Sequence, residues 1–183
     1  MDRLSQTDIQ TIDLSLTKWY YEQANIRHTD LVRIDNVITD RAYTLFALYF
    51  AILTACIGYV LTHLMDASET AISTACASFI VFDSISIYYI YKVIWPHDIY
   101  SPGKMPDSFA IDNYLHYFSA NKVEGDLQFK RVLSDELVFL QIKSSQLANS
   151  NKNRIKHLKC SIRFLLLGSA LTVILMLVDL LWL

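Results

Sequence analysis

The sequence has few residues of the kinds that interrupt helices or form phosphate-binding loops. Glycine occurs four times and proline three times in 183 residues, and all three prolines lie with Gly103 in the segment 95–109. Phosphate cradles made of backbone amides are usually glycine-rich, so this composition argues against a nucleotide loop of that kind. Neither residue type occurs before Gly58, which allows one long helix in the first part of the chain.

Residues for catalysis and metal binding are scarce as well. The three cysteines have no metal-ligand spacing, and the five histidines are scattered along the chain. The sequence contains neither a nucleophile-elbow motif nor an HExxH motif. We therefore expect that the chain is not an enzyme and that it needs no metal ion or cofactor.

The sequence does contain three long apolar segments. Residues 42–65 include no Asp, Glu, Lys or Arg, residues 70–95 are interrupted by Asp83 and Lys92, and residues 164–183 form the last segment. Each is long enough for the roughly 20 residues that cross a hydrocarbon core of about 30 Å. We predict an all-α membrane protein with three transmembrane helices. The alternative is a soluble bundle with three buried helices.

The distribution of the 16 Lys and Arg residues predicts the orientation. Five lie in residues 1–41 and eleven between Lys92 and Arg163, while the loop 66–69 has none. The positive-inside rule then places residues 1–41 and 96–163 in the cytoplasm. With three spans, the N-terminus is expected inside and the C-terminus outside.

The chain accordingly divides into four predicted segments. They are a cytoplasmic amphipathic helix (1–41), a transmembrane hairpin (42–95, with helices at 42–65 and 70–95), a cytoplasmic proline-rich loop with a helical segment (96–163), and a third transmembrane helix (164–183). Helical spacing in the first segment predicts one apolar stripe, formed by Ile9, Ile12, Leu16, Trp19, Tyr20, Leu31, Ile34 and Ile38. Acidic residues on the rest of this helix favour packing against protein over packing against lipid.

A second long helix is predicted from about Leu127 into the third span. Its middle part, residues 144–154, contains weak helix formers, including three asparagines. This part can be a bend, a polar contact zone or a solvated helix face, and the solvated face is the preferred interpretation.

Polar residues inside the predicted spans are the first candidate site. Asp83 lies near the middle of the second span, and Thr54 and Thr172 lie at a similar depth in the other two. Only Ser86 adds a polar group on the same side of the second helix. A neutral Asp83 can donate a hydrogen bond to a threonine and join helices. Alternatively, several copies can place Asp83 in an acidic ring around a cation pathway.

Cations next to the third span are the second candidate site. The residues predicted to contact anionic lipid or an anionic ligand are Lys130, Arg131, Lys152, Arg154, Lys156 and Lys159. Lipid head groups of the inner leaflet are preferred for the cations nearest the membrane. For Lys130 and Arg131, a ligand or the acidic N-terminal helix remains open.

Two stretches carry a resemblance to a known group of proteins. They are RIDNVITDRAYTLF (33–46), before the first span, and NKNRIKHLKCSIRFLLLG (151–168), which enters the last. In layout the chain resembles small bacterial anti-phage membrane effectors of the SLATT and Pycsar-effector types, and the membrane effector of the Hailong system. The resemblance implies a homo-oligomeric pore, a tetramer by analogy, in the bacterial inner membrane. It also implies gating by a cyclic nucleotide or oligonucleotide from a partner nucleotidyltransferase.

These expectations leave two main function classes open, and a proton-coupled carrier that uses Asp83 is disfavoured because three spans without a repeat offer no inverted-repeat site in the monomer. In the first, the protein is a pore or ion channel, and Trp19, Tyr20 and Arg41 take part in gating. In the second, it is a non-conducting membrane scaffold that recruits a soluble partner through the aromatic N-terminal helix.

Overall fold

The computed structural model describes residues 12–63, 70–95, 111–123 and 125–182. These residues are helical apart from short turns, which confirms the prediction of an all-α chain. The helices are α1 (Leu14–His63), α2 (Thr70–Ile94), α3 (Ile111–Asn121) and α4 (Asp126–Trp182). Three of them, α1, α2 and α4, include stretches long and apolar enough to cross a membrane, as predicted. The proline-rich stretch 96–110 and the loop 64–69 lie outside the described residues.

Two of the helices are unusually long, with 50 residues in α1 and 57 in α4. Helix α1 begins after Asp13, whose carboxylate accepts hydrogen bonds from the backbone N–H and the hydroxyl of Ser15. This is the bonding of a helix N-cap, and it lowers the pKa of Asp13 below its usual value. Residues 1–11, which include most of the predicted start of this helix, lie outside the described residues.

The turn between α3 and α4 uses left-handed backbone conformations. Helix α3 ends at Asn121, the next residue Lys122 has a φ of 50°, and Val123 N–H donates to the carbonyl of Phe118 at 3.0 Å. Together with the 3.4 Å bond from Lys122 N–H to Ser119, this is a Schellman motif. Gly125, with a φ of 54°, then leads directly into α4.

The chain forms two compact units. The first comprises residues 1–34 and 98–150, and the second comprises residues 35–97 and 151–183. Helices α1 and α4 each contribute residues to both units. The two predicted cytoplasmic segments end at residues 41 and 163. The last parts of these segments, residues 35–41 and 151–163, belong to the same compact unit as the apolar segments.

The first unit has a regularly spaced core. On α4, one line of buried residues recurs every three or four positions and consists of Leu133, Leu137, Leu140, Ser144 and Leu147. This is the spacing of a coiled-coil seam. Ser134 and Glu136, beside this line, are also buried. The predicted apolar stripe on α1 is only partly buried within the chain: Ile38 is 5% exposed, whereas Trp19 is 52% and Ile34 42% exposed. Thr17 and His28, outside the predicted stripe, are fully buried. A polar residue can take a seam position when a hydrogen bond satisfies it, as His28 does with Ser144 at 3.2 Å between Nδ1 and Oγ.

The second unit packs its apolar segments around a core with polar members. Its apolar centre is formed by Ile38, Ala42, Tyr49, Ile90 and Val93. Its outer faces carry exposed apolar side chains, such as Val81 at 58% and Leu166 at 62%. Exposed apolar surface on this scale favours a membrane over the soluble alternative. Gly168 allows α4 to approach α2 closely, because a Cβ at this position would lie 2.6 Å from the Cβ of Phe82.

Candidate functional site

The candidate site is the set of buried polar residues in the second unit, and its first component is Arg154. This side chain is buried, and its Nε donates to the backbone carbonyl of Val93 at 3.0 Å. Its Nη2 donates to Thr39 Oγ1 at 2.7 Å, and its Nη1 donates to the carboxylate of Asp35 in an ion pair. The guanidinium therefore connects α1, α2 and α4. Because its charge is paired, this burial is tolerated.

The position of Arg154 overturns its predicted role. A buried guanidinium whose donors bind α1 and α2 cannot contact lipid or a nucleotide in this conformation. The preferred interpretation of residues 144–154 as a solvated face is also wrong. Ser144, Leu147, Asn151 and Arg154 are buried at spacings of three or four, so this side of α4 is a polar contact zone within a continuous helix.

The second component is a buried layer of hydroxyl groups. Ser161 Oγ on α4 donates to the backbone carbonyl of Ser86 on α2 at 2.9 Å. Ser86 Oγ donates to the carbonyl of Phe82 at 2.9 Å, and the Tyr49 hydroxyl on α1 is hydrogen-bonded to the Ser161 side chain. These three side chains are at most 1% exposed. Each donates or accepts within the layer, so the layer links all three helices.

Asp83 is the third component, one turn before Ser86. Its side chain is fully buried, and no described residue gives either carboxylate oxygen a hydrogen bond. The predicted bonds to threonine are not formed. Thr54 donates to the carbonyls of Phe50 and Ala51, and Thr172 donates to that of Gly168. Both hydroxyls are thus satisfied within their own helices, a common arrangement for threonine.

The burial of Asp83 also bears on the predicted acidic ring. A ring around an axis between copies needs the carboxylate at the surface of each chain. Asp83 has no exposed surface in the single chain, because it faces the interior of the second unit. This packing does not present Asp83 to a pathway shared between copies.

Four cations on α4 form an exposed stripe. Lys152, Lys156, Lys159 and Arg163 are spaced by four, three and four residues, and all four are exposed. Such spacing places them on one face of the helix. Three residues beyond Arg163, the 62% exposed Leu166 begins the apolar part of the helix. The predicted contact of Lys152, Lys156 and Lys159 with lipid remains a prediction, and the exposure it requires is present.

The two predicted cations of the first unit make contacts inside that unit. Arg131 lies 3.8 Å from the carboxylate of Asp135 and 5.8 Å from the ring centre of Tyr117 on α3. Asp135 also accepts a hydrogen bond from Tyr114, so Arg131 belongs to the contact between α3 and α4. The charge of Lys130 contributes to the lowered pKa of Asp13 at the start of α1.

The predicted gating residues do not form one cluster. Trp19 is half exposed in the first unit and packs edge-on against Tyr20, with ring centres 5.2 Å apart. Arg41 is exposed and belongs to the second unit.

Sequence reasoning missed the buried His28 of the first unit and four polar residues of the site in the second unit: Asp35, Thr39, Tyr49 and Ser161. A signal was available on α4, where Asn151, Arg154, Leu158, Ser161 and Leu165 follow the spacing of a seam. Polar residues at such positions are used in helix bundles to specify register.

No protein-family model, no curated protein and no solved structure matches the chain. Its function is therefore argued from the geometry of the polar core and from the layout of the chain.

Proposed function

We propose that the chain is an oligomeric membrane effector, a pore or ion channel that disrupts membrane integrity in bacterial anti-phage defence. In this proposal a nucleotide second messenger gates it on the cytoplasmic side. The observation that carries the proposal is the continuity of α1 and α4, which each run unbroken through residues of both units. A continuous helix transmits a rotation or shift from one end to the other. The resemblance in layout to SLATT and Pycsar effectors supports the same arrangement, with ligand binding on the cytoplasmic side and a pore in the membrane.

The proposed orientation places the first unit in the cytoplasm and the second in the inner membrane. The exposed stripe of Lys152, Lys156, Lys159 and Arg163 supports it, because anionic lipids of the inner leaflet attract cations at this position. Apolar exposed residues follow immediately, from Leu166 onward. The stripe would then lie at the head groups of the inner leaflet.

A pore in this proposal requires several copies of the chain. The second unit fills its interior with side chains such as Tyr49, Ile90 and Val93, all at most 1% exposed. The described part of one copy therefore has a packed interior in this conformation. A closed ring of copies, a tetramer by analogy, would form the pathway between or within rearranged units.

Ion flux tests the proposal. The purified protein would be reconstituted in liposomes of phosphatidylethanolamine and phosphatidylglycerol and exposed to a panel of cyclic mononucleotides, dinucleotides and trinucleotides. We expect flux of a trapped dye or ion with one ligand class, and growth arrest with membrane depolarisation when cells express the protein with its activating synthase. A protein that remains monomeric would contradict the pore. Liposomes that release no dye or ion with any ligand, while cells that express the protein still arrest, would contradict it as well.

A scaffold is the second candidate, and one observation favours it. Helix α1 of the first unit exposes Leu16 by 41%, Trp19 by 52% and Ile26 by 56%. Exposed apolar side chains on one helix are suited to binding another protein. Replacing Trp19 with Ser separates the two functions. A scaffold would lose its soluble partner without any change in permeability, whereas a gated pore would keep assembling and change its flux.

A further inference from the structure

Asp83 is a carboxyl group held inside an apolar helix bundle without a partner. Its side chain has no exposed surface, and neither oxygen accepts a hydrogen bond from a described residue. Among the described residues, no ion pair involves it. An ionised carboxylate in such surroundings would have neither water, nor a cation, nor a donor to stabilise its charge.

The described groups around Asp83 come from all three helices of the second unit, and none of these described groups is a cation. On α1, Tyr49 and Cys56 lie within electrostatic range of the carboxyl, and either would carry a negative charge if it ionised. On α2 the neighbouring polar group is the Ser86 hydroxyl. On α4, Ser161 and Gly168 pack against α2 and do not titrate.

The hydroxyl donors of this region are already engaged. Ser86 donates to Phe82, and Ser161 donates to the carbonyl of Ser86. The Tyr49 hydroxyl is bonded to Ser161. On α4, Lys159 and Arg163 are exposed, and the buried Arg154 is paired with Asp35. The surrounding protein therefore favours an uncharged carboxyl at Asp83.

We propose that Asp83 is a proton-binding site: the packed second unit holds its carboxyl in the protonated, neutral form, and opening of the unit to water releases the proton. The ligand is a proton, and the site takes up one per chain. By linkage, acid favours the packed form. In the pH range where only the packed form is protonated, each unit of pH increase shifts the equilibrium toward the open form by up to tenfold per chain.

Infrared difference spectroscopy in liposomes tests the proposal without relying on pore activity. At neutral pH the wild-type protein should show the C=O stretching band of a protonated carboxylic acid, shifted in deuterated water. Asp83→Asn should lack this band. Asp40→Asn, which changes an exposed carboxylate of the same unit, should retain it. The wild-type band should also disappear as the pH is raised, a measurement that needs no variant.

Three outcomes would overturn the proposal: no such band in the wild type, an equal band in Asp83→Asn, or a band that appears only after sodium and potassium are removed. The last would show that the site holds a cation. Circular dichroism and particle mass would show that Asp83→Asn and the apolar variant Asp83→Leu are folded, and both should lack the band. The band reports only the protonation of the carboxyl group. Its absence would therefore not contradict the proposed pore, and an inactive pore would not contradict the proton site.

Discussion

Arg154 Nε donates a hydrogen bond to the backbone carbonyl of Val93 at 3.0 Å, in the last turn of α2. The last carbonyls of a helix have no partner within the helix and carry the negative end of its dipole. A guanidinium is well suited to this position because it offers both charge and several donors. The same group binds Asp35 and Thr39 on α1, so one side chain from α4 joins the last turn of α2 to the middle of α1.

Arg154→Ala should strongly destabilise the second unit, because it removes the cation that pairs with the partly buried carboxylate of Asp35. Removal of one partner from a buried ion pair typically costs about 3–5 kcal/mol. Lys152→Ala is the matched control, since Lys152 is an exposed cation on the same helix and its loss should change stability by less than about 0.5 kcal/mol. Unfolding in detergent would measure both. Equal effects of the two variants would contradict the proposed role of Arg154.

Gly168→Ala should disturb the packing of α4 on α2. The new Cβ would lie 2.6 Å from the Cβ of Phe82, and overpacking of this kind costs about 1–3 kcal/mol. Gly58→Ala provides the control, because nothing lies within 4 Å of its added Cβ and alanine favours the helix. Thermal unfolding should show opposite signs for the two variants. Phe82→Gly, which removes the clashing Cβ, should relieve the clash in Gly168→Ala, and a failure to do so would argue against this contact.

Asn36→Pro should uncouple gating from the membrane helices, if the proposed function is correct. Asn36 is exposed within α1, and proline there removes a helix hydrogen bond and kinks the helix at a cost of about 3 kcal/mol. Ligand-stimulated flux in liposomes should be lost, while the oligomer still forms. Asn36→Ala should respond like the wild type. Normal stimulation of the proline variant would show that continuity of α1 is not needed.

Replacing Lys152, Lys156 and Lys159 together with Gln should weaken the preference for anionic lipid. Each cation near an anionic surface contributes about 1 kcal/mol, and salt screens this contribution. The measurement is the gain in thermal stability on adding phosphatidylglycerol to the detergent-solubilised protein. The exposed Lys122→Gln of the first unit should leave that gain unchanged. A full gain in the triple variant would place the lipid contact elsewhere.

Asp13 makes the start of α1 sensitive to pH. Its pKa is lowered mainly by the hydrogen bond from the Ser15 hydroxyl, so its contribution to stability is present above the ordinary carboxyl pKa. That contribution is lost as the pH falls through the lowered value. Hydrogen exchange of the first-turn amides should therefore accelerate in acid in the wild type. Asp13→Asn keeps a capping side chain and should show no such acid dependence, while Asp13→Ala should exchange faster at every pH.

The sequence permitted a partial view of the polar core. Asp83 was identified because an acid in an apolar run is conspicuous without any knowledge of its neighbours. Arg154 was misassigned because Lys152, Arg154 and Lys156 look alike along the chain. Only the packing of α4 decides that Arg154 turns inward while both lysines stay exposed. Tyr49 carried no local signal, since a tyrosine in an apolar helix is ordinary, whereas Ser161 follows the seam spacing of α4.

Local chemistry alone determined the three apolar helices and the great length of α1 and α4. Apolar runs and the scarcity of proline and glycine determine helix formation through neighbouring residues, so they can be recognised from the sequence alone. Tertiary structure decided which polar groups meet. Asp35 and Arg154 are 119 residues apart in sequence and form an ion pair, whereas Asp83 and Thr54 lie at similar predicted depth and form no bond. The reason is that the rotation of each helix about its own axis decides which of its faces contacts the neighbouring helices. Packing sets this rotation and therefore decides which residues meet.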